Sequence, residues 1–512
     1  MMRTMNLASA FAESAKQQSG KTALFWGERE YSYAELWAQT VVVAERLQAQ
    51  SGVKAGDRVG IWLKNCPEFI PALFGIFHAG AVAVPINNFL KTDEVSFILA
   101  DAGIDVLITD ADLGTHFRTL AAARHSLKQF RVESLHEDPI GEHPEETASP
   151  KHRPGTHRHQ PAASDLAVLI YTSGTTGRPK GAMLSHHNLL HNVESCRIVL
   201  RTVAADRFAV LLPLFHSYML TVGLLLPLLV GGSIVLVKSL HPVRNVLQEI
   251  IQRRATVLPA IPQFYRGMVN AGVHAPLPAR ICISGAAPLP VQVLKEFEAR
   301  FHIPLIEGYG LSEASPVVTK NPLDGTRKPG SIGLPIPHVE VSIQDDSGKE
   351  LGANEVGELC VRGGNVMLGY WNQPQETALV MRNGWLLTGD VGYRDDEGYY
   401  FVTDRKKDML LVNGINVYPR EIEEVLYQFP GVKEAAVVGK PDARKGEQPV
   451  AFVSADEGAT LEEKAIQHFV RKKLADYKVP RHVVLLPALP RNATGKILKT
   501  ALREMPIAQS VA

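Results

Sequence analysis

The chain is predicted to be an α/β protein. A large N-terminal part of doubly wound, mostly parallel sheets carries a small β-rich subdomain and is followed by a small α+β C-terminal domain. Three observations carry this expectation. Helix-like and strand-like segments alternate through the first third of the 512 residues, the β-α-β rhythm of a parallel sheet with crossover helices. After Gly330 the pattern changes to short alternating strands separated by Gly, Asn and Asp turns. A charged knot at 404–408, DRKKD, then precedes a tail with its own helices and strands. The expected divisions are therefore 1–404, with the β-rich part at about 330–404, and 405–512.

The elements follow in order. Residues 33–49 repeat apolar side chains at helical spacing; 58–63 read as a strand, 68–79 as an apolar helix, and 81–85 and 106–109 as further strands. Residues 136–164 break the rhythm, being polar and rich in Pro, Glu and His. The irregular spacing of His143, His152, His157 and His159 there reads as a solvated linker rather than a metal site. The α/β rhythm resumes at Asp165 and runs to about Pro322. Within it, 218–237 (YMLTVGLLLPLLVGGSIVLV) is uncharged and long enough to cross a bilayer. Pro227 and the Gly231-Gly232 pair divide it, however, into a buried helix, a turn and a Val/Ile-rich strand. Strands are expected at 339–343 and 357–362, and in the tail helices at 419–429 and 461–474 with strands at 435–439 and 482–486.

Composition excludes several classes. Hydrophobic residues make up 45% and charged residues 21%, as in ordinary globular proteins. Lys+Arg 54 against Asp+Glu 53 gives no electrostatic case for nucleic acid or an anionic membrane. Cys66, Cys196, Cys282 and Cys360 lie far apart, without metal-ligand or CxxC spacing, and fit buried thiols in a reducing cytoplasm. Neither HExxH nor GxSxG occurs, so a metallohydrolase and an α/β-hydrolase lack support. The N-terminus has no apolar signal-peptide core. A cytoplasmic location without stable membrane insertion is expected; a transient membrane contact and a homodimer stay compatible with it.

The most informative stretch is 171–181, YTSGTTGRPKG. Small hydroxyl residues and glycines can bring backbone N–H groups and hydroxyls close to phosphate oxygens, and a lysine adds charge. It is not a P-loop, because Arg178-Pro179 precede Lys180 and Gly181 follows it. The apolar run 166–170 before it hangs the loop from a buried sheet, where α/β proteins place phosphate sites. Further motifs follow: PLFHSY at 213–218, SGAAPL at 284–289, GYGLSEASP at 308–316, TGD at 388–390, DRKKD, VNGINVYPREIE at 412–423 and PRNATGKILK at 490–499. In this order the set resembles the adenylate-forming superfamily, and most of all its acyl-CoA synthetases and fatty-acid–CoA ligases.

That resemblance implies ATP-dependent ligation of a carboxylic acid: acyl-AMP and pyrophosphate form first, then the acyl group passes to CoA with release of AMP. Activation is chemically necessary because a carboxylate oxygen is a poor leaving group, and AMP turns it into a phosphate-stabilised one. By resemblance, Thr172, Ser173, Gly174, Thr175, Thr176, Gly177 and Lys180 cradle the β- and γ-phosphates. Gly285, Ala286, Gly308 and Tyr309 line the adenine slot, and Ser312 lies near the α-phosphate. Glu313, with Thr172 nearby, would hold Mg²⁺, a hard cation suited to carboxylate and phosphate oxygens. Asp390 would accept from both ribose hydroxyls, as an acceptor-only group can, with Arg405 beside it. His216 would shape the acyl site. Lys496 would bridge the acid carboxylate and the α-phosphate during adenylation, and Lys407 would be the hinge that later brings Gly414 to the CoA channel. An acyl-AMP ligase loading a carrier-protein thiol, an aryl-CoA ligase and a catalytically silent nucleotide-binding scaffold are the competing readings.

Overall fold

The helix Tyr33–Ala49 begins where a local signal starts it. The Ser32 hydroxyl accepts the Glu35 N–H at 3.2 Å and the Glu35 carboxylate accepts the Ser32 N–H at 2.6 Å, a reciprocal cap. Its buried stripe, including Leu36, Val43 and Leu47, packs on the apolar helix Phe69–His78. The two helices touch at Gly75, where a Cβ would lie 2.6 Å from the Val43 side chain. The computed structural model describes residues 5–135, 161–172, 179–240, 242–271, 276–442, 446–491 and 496–507.

Among these residues the strands form four sheets. The six-stranded one runs in the order Lys128–Arg131, Val106–Thr109, Arg58–Trp62, Val82–Pro85, Leu166–Thr172, Lys180–Ser185. Its first five strands are parallel and only the last pair is antiparallel. The nine-stranded sheet has a parallel centre, with Arg207–Val210, Ser233–Leu236, Val257–Ala260, Ile281–Ser284 and Leu305–Gly310 as its strands. Parallel strands end on one edge, so the SGAAPL turn and the GYGLSEASP segment emerge side by side. A third, antiparallel sheet includes Val339–Gln344, Gly357–Gly363, Trp385–Arg394 and Tyr400–Arg405. The fourth holds Leu410–Val412, Ile415–Val417, Val432–Asp442, Gly446–Ala455 and His482–Leu485, and packs a core of its own around Val437, Ala451 and Ile466. The chain passes from the third sheet to the fourth through the turn at 406–408, where Asp408 and Met409 donate their N–H groups to the Arg405 carbonyl.

The α/β class and its sheets agree with the sequence reading, with two differences. The hairpin Thr22–Trp26/Arg29–Ser32, absent from the expected elements, joins the nine-stranded sheet by pairing parallel to Ser233–Leu236. The uncharged segment becomes a wide π-type turn at Met219–Leu225, then the helix Leu226–Val230 and the strand Ser233–Leu236. Every residue of the π turn is buried, and a Cβ on Gly223 would meet the Met219 sulfur at 2.1 Å. No helix among the described residues is long and apolar enough to cross a membrane. The linker histidines at 143–159 lie outside the described residues.

Gly310 ends the strand under the site so tightly that a Cβ would lie 2.0 Å from the Pro316 carbonyl oxygen. Gly310→Ala should therefore cost about 1–3 kcal/mol through steric overlap with that carbonyl, read as a lowered melting temperature. Gly20→Ala, with nothing within 4 Å of its Cβ and no positive φ, should cost less.

Candidate active site

Strand register assembles the first part of the site. Trp385–Arg394 pairs antiparallel with Tyr400–Arg405 so that Asp390 faces Arg405. The Arg405 Nε lies 3.1 Å from the Asp390 carboxylate, and the Tyr309 hydroxyl donates to its other oxygen at 2.5 Å. Burial first, and then the Asp390 charge, push the Tyr309 phenol well above its ordinary range, so it stays a donor. Arg405 is 40% exposed against 6% for Asp390. The pair is therefore screened on one side, and its stabilisation lies nearer the ~1 kcal/mol of a surface bridge than the ~3–5 kcal/mol lost on breaking a buried one. Its value lies in orientation. The TGD turn is fixed separately: Gly389 has φ +70° and donates to Glu358 at 2.9 Å, and the Thr388 hydroxyl donates to the Leu359 carbonyl at 2.8 Å.

The neighbouring motifs are tied to one another. Ser312 and Ser217 share a hydrogen bond at 2.9 Å, joining GYGLSEASP to PLFHSY. The Tyr218 hydroxyl donates to the Ile283 carbonyl at 3.0 Å while its ring covers Gly285, whose Cβ would meet the ring at 3.1 Å. Ala286 follows at φ +63°, turning the chain away from the strand. Gly308 lies against the Thr319 carbonyl, 3.3 Å from where its Cβ would be. Asn65 braces PLFHSY from the other sheet, donating to the Leu212 carbonyl and accepting from the Leu214 N–H, each at 2.9 Å.

Glu313 accepts the Tyr370 hydroxyl at 2.9 Å through one oxygen. The Lys180 ammonium sits 5.4 Å from the Tyr370 ring centre and pairs with Glu376. The structure thus engages Lys180 as a buried brace at the foot of its hairpin. Thr172 faces Lys180 across that hairpin, with a long 3.5 Å contact from its hydroxyl to the Lys180 carbonyl. Ser173, Gly174, Thr175, Thr176 and Gly177 lie outside the described residues.

Lys496 follows the last strand of the fourth sheet and precedes Ile497, which bridges to Arg491, and Leu498, whose N–H donates to the Pro490 carbonyl at 2.8 Å. Its ammonium is reachable by solvent yet crowded by protein, and burial and then the Arg405 guanidinium pull it down to about 8, against the opposing pull of Asp390. His216 feels the same ammonium: burial first, and then Lys496, hold its imidazole down to about 4. The His216 Nδ1 accepts the Tyr218 N–H at 3.3 Å, so the neutral ring carries its proton on Nε2. Lys496, His216, Asp390, Arg405 and Tyr309 therefore share one electrostatic neighbourhood, although they come from five motifs. Lys407 lies exposed in the turn between the third and fourth sheets. Asn413 (φ +52°) and Gly414 (φ +78°) form the two-residue turn joining Leu410–Val412 to Ile415–Val417, a tight hairpin that needs positive φ twice. Nothing lies within 4 Å of a Gly414 Cβ. Ser217, Tyr370, Glu376 and Asn65 were not foreseen; each acts through a partner at least 57 residues away, which leaves no local pattern.

This arrangement predicts how Lys496 reacts with an amine reagent followed by peptide mass spectrometry. Only the neutral amine reacts, so labelling should reach half its maximum near pH 8 instead of near 10.5. Asp390→Asn removes a nearby negative charge and should move that midpoint lower.

Comparison with known proteins agrees with this geometry. Residues 11–371 match the family described as AMP-binding enzyme, and 421–496 match the AMP-binding enzyme C-terminal domain. A long-chain-fatty-acid–CoA ligase of Bacillus subtilis is 36% identical over 97% of this chain and 94% of its own length. A feruloyl-CoA synthase of Amycolatopsis is also 36% identical, over 98% and 99%. Among solved structures, ATP-bound MatB from Rhodopseudomonas palustris superposes with TM-score 0.88 at 33% identity, covering 98% of this chain and 99% of the other. An anthranilate CoA ligase in complex with anthranoyl-AMP gives 0.90 at 28%, covering 98% and 97%. This chain belongs to the AMP-binding enzyme family, and within it to the adenylate-forming acyl-CoA synthetases, as an AMP-forming acid–thiol ligase.

Proposed function

We propose that the chain activates a fatty acid with ATP as acyl-AMP, releasing pyrophosphate, and then transfers the acyl group to CoA, releasing AMP. The observation that carries this reading is the Lys496 ammonium beside Asp390, Arg405 and His216. An ammonium there offsets the charge that grows on the α-phosphate and the attacking carboxylate in the transition state. A carboxylate needs no general base, and a histidine held down to about 4 is neutral at pH 7 and suits contact with the acid's oxygen or chain. Asp390 and Arg405 orient the ribose, with Tyr309 against the adenine. Gly285, Ala286, Gly308 and Ser312 line the nucleotide slot, and 172–177 hold the outer phosphates. Lys180 anchors that loop through Glu376.

The residues present fit a magnesium ion delivered with ATP. Among the described residues Glu313 keeps a carboxylate oxygen with no hydrogen bond. Mg²⁺ suits such an oxygen together with substrate phosphates, and the reading puts the Thr172 hydroxyl beside it. When bound, the ion would neutralise phosphate charge.

The same reading divides the chain at 1–404, with its β-rich part at 330–404, and 405–512, with the small lobe turning about Lys407 to bring Gly414 to CoA. It also takes the enzyme as cytoplasmic, with a homodimer compatible with the reading. The feruloyl-CoA synthase likeness favours an aryl acid as the second reading. A panel of fatty and aryl acids with ATP, Mg²⁺ and either CoA or a carrier-protein thiol, read as AMP release, separates these. The fatty acids with CoA are expected to give the highest kcat/KM, and aryl acids or a carrier thiol leading the panel would replace the reading.

Lys496→Ala should lower pyrophosphate release about 100-fold or more while leaving thioester formation from supplied acyl-AMP nearly intact. Equal loss of both would contradict the assigned role. Lys407→Pro fixes one hinge angle and should slow thioester formation more than adenylation in single-turnover measurements.

A further inference from the structure

Contacts outside the site also join the fourth sheet to the rest of the chain, and Arg266 makes several of them. Arg266 projects from the helix Pro262–Asn270. Its Nη2 donates to the Val432 carbonyl at 2.9 Å and to both Asp456 oxygens at 3.0 and 2.9 Å. Val432 and Asp456 lie at facing ends of the long hairpin of the fourth sheet, with the Asp456 N–H on the Gly431 carbonyl at 2.8 Å. Arg266 is 16% exposed and Asp456 35%, so the bond is partly shielded from solvent. A second, looser set stands beside it: Arg420 is 3.7 Å from Glu307, and Glu424 accepts the Val291 N–H at 3.4 Å. Arg420 also donates to the Val402 carbonyl at 2.9 Å, and its N–H to Asp404 at 3.0 Å. Those two acceptors precede Lys407 and stay with the hinge.

We propose that Arg266 is a positioning residue, a latch that holds the small lobe through Asp456 and Val432 in the orientation that delivers Lys496, and that must open before the acyl group passes to the thiol. The inference rests on the two-step reading above. Arg266 and Asp456 lie on opposite sides of the turn at 406–408, so rotation about it separates them. The latch therefore favours the first half-reaction at the expense of the second, and it does so without touching substrate. A planar guanidinium suits this task, since it meets a carboxylate through fixed donors.

The test measures the half-reactions separately on the full chain. Acyl-AMP formation is followed in single turnover with the best acid, and thioester formation is followed from supplied acyl-AMP and CoA. Arg266→Ala and, independently, Asp456→Ala should each slow the first step about 5- to 10-fold and leave the second unchanged or faster. The double variant should be no worse than Arg266→Ala alone, because that substitution already removes the Asp456 contact. Arg266→Lys, which retains the charge, should recover part of the first step. Equal slowing of both steps, no change in either, or additive losses in the double variant would overturn the latch while leaving acid activation by the wild type intact. A wild type that releases no pyrophosphate with any acid would instead remove the two-step reading, and the latch with it.

Discussion

The buried Asp390 carboxylate is the fixed point of the site. Strand register sets it opposite Arg405, Tyr309 donates to it from the end of a parallel strand of another sheet, and its charge helps keep Lys496 protonated against burial. Arg405 and Tyr309 therefore meet at one acceptor, and Lys496 feels its charge. A carboxylate can serve both partners because it offers several lone pairs and donates none. The surrounding motifs are then locked by short polar contacts between neighbours, Ser217 with Ser312 and Tyr370 with Glu313.

Asp390, Arg405 and Tyr309 are held by the nine-stranded and third sheets, and Lys496 comes from the chain beyond the fourth. That fourth sheet has a separate core, the connection to it is a short turn, and among the described residues its contacts with the rest include the polar bonds of Arg266 and Arg420. Such an interface can be exchanged for another without disturbing either core. Lys496 is crowded but reachable by solvent, which suits a group that enters and leaves the site.

Much of this was legible in the sequence for reasons that are local. The helix Tyr33–Ala49 announces itself through apolar side chains at helical spacing, and the structure keeps those bounds. The motif resemblance supplied the convergence of Asp390, Arg405, Tyr309 and Lys496, which no single segment announces. What stayed hidden is non-local pairing. The strand Thr22–Trp26 joins one more than 200 residues away, and the Lys180–Glu376 and Arg266–Asp456 pairs span 196 and 190 residues. A charged side chain in isolation reads as a solvated one, so the brace on Lys180 and the contact at Arg266 needed coordinates.

The central claim is that the positive charge of Lys496, held low by its surroundings, drives acid activation. The direct measurement is kcat/KM for pyrophosphate release as a function of pH, which reports ionisations of the free enzyme. The account predicts a decline above a midpoint near pH 8, as the ammonium loses its proton, and disappearance of that decline in Lys496→Arg, whose guanidinium does not titrate there. A wild-type profile level to pH 10, or a decline that survives unchanged in the arginine variant, would contradict it.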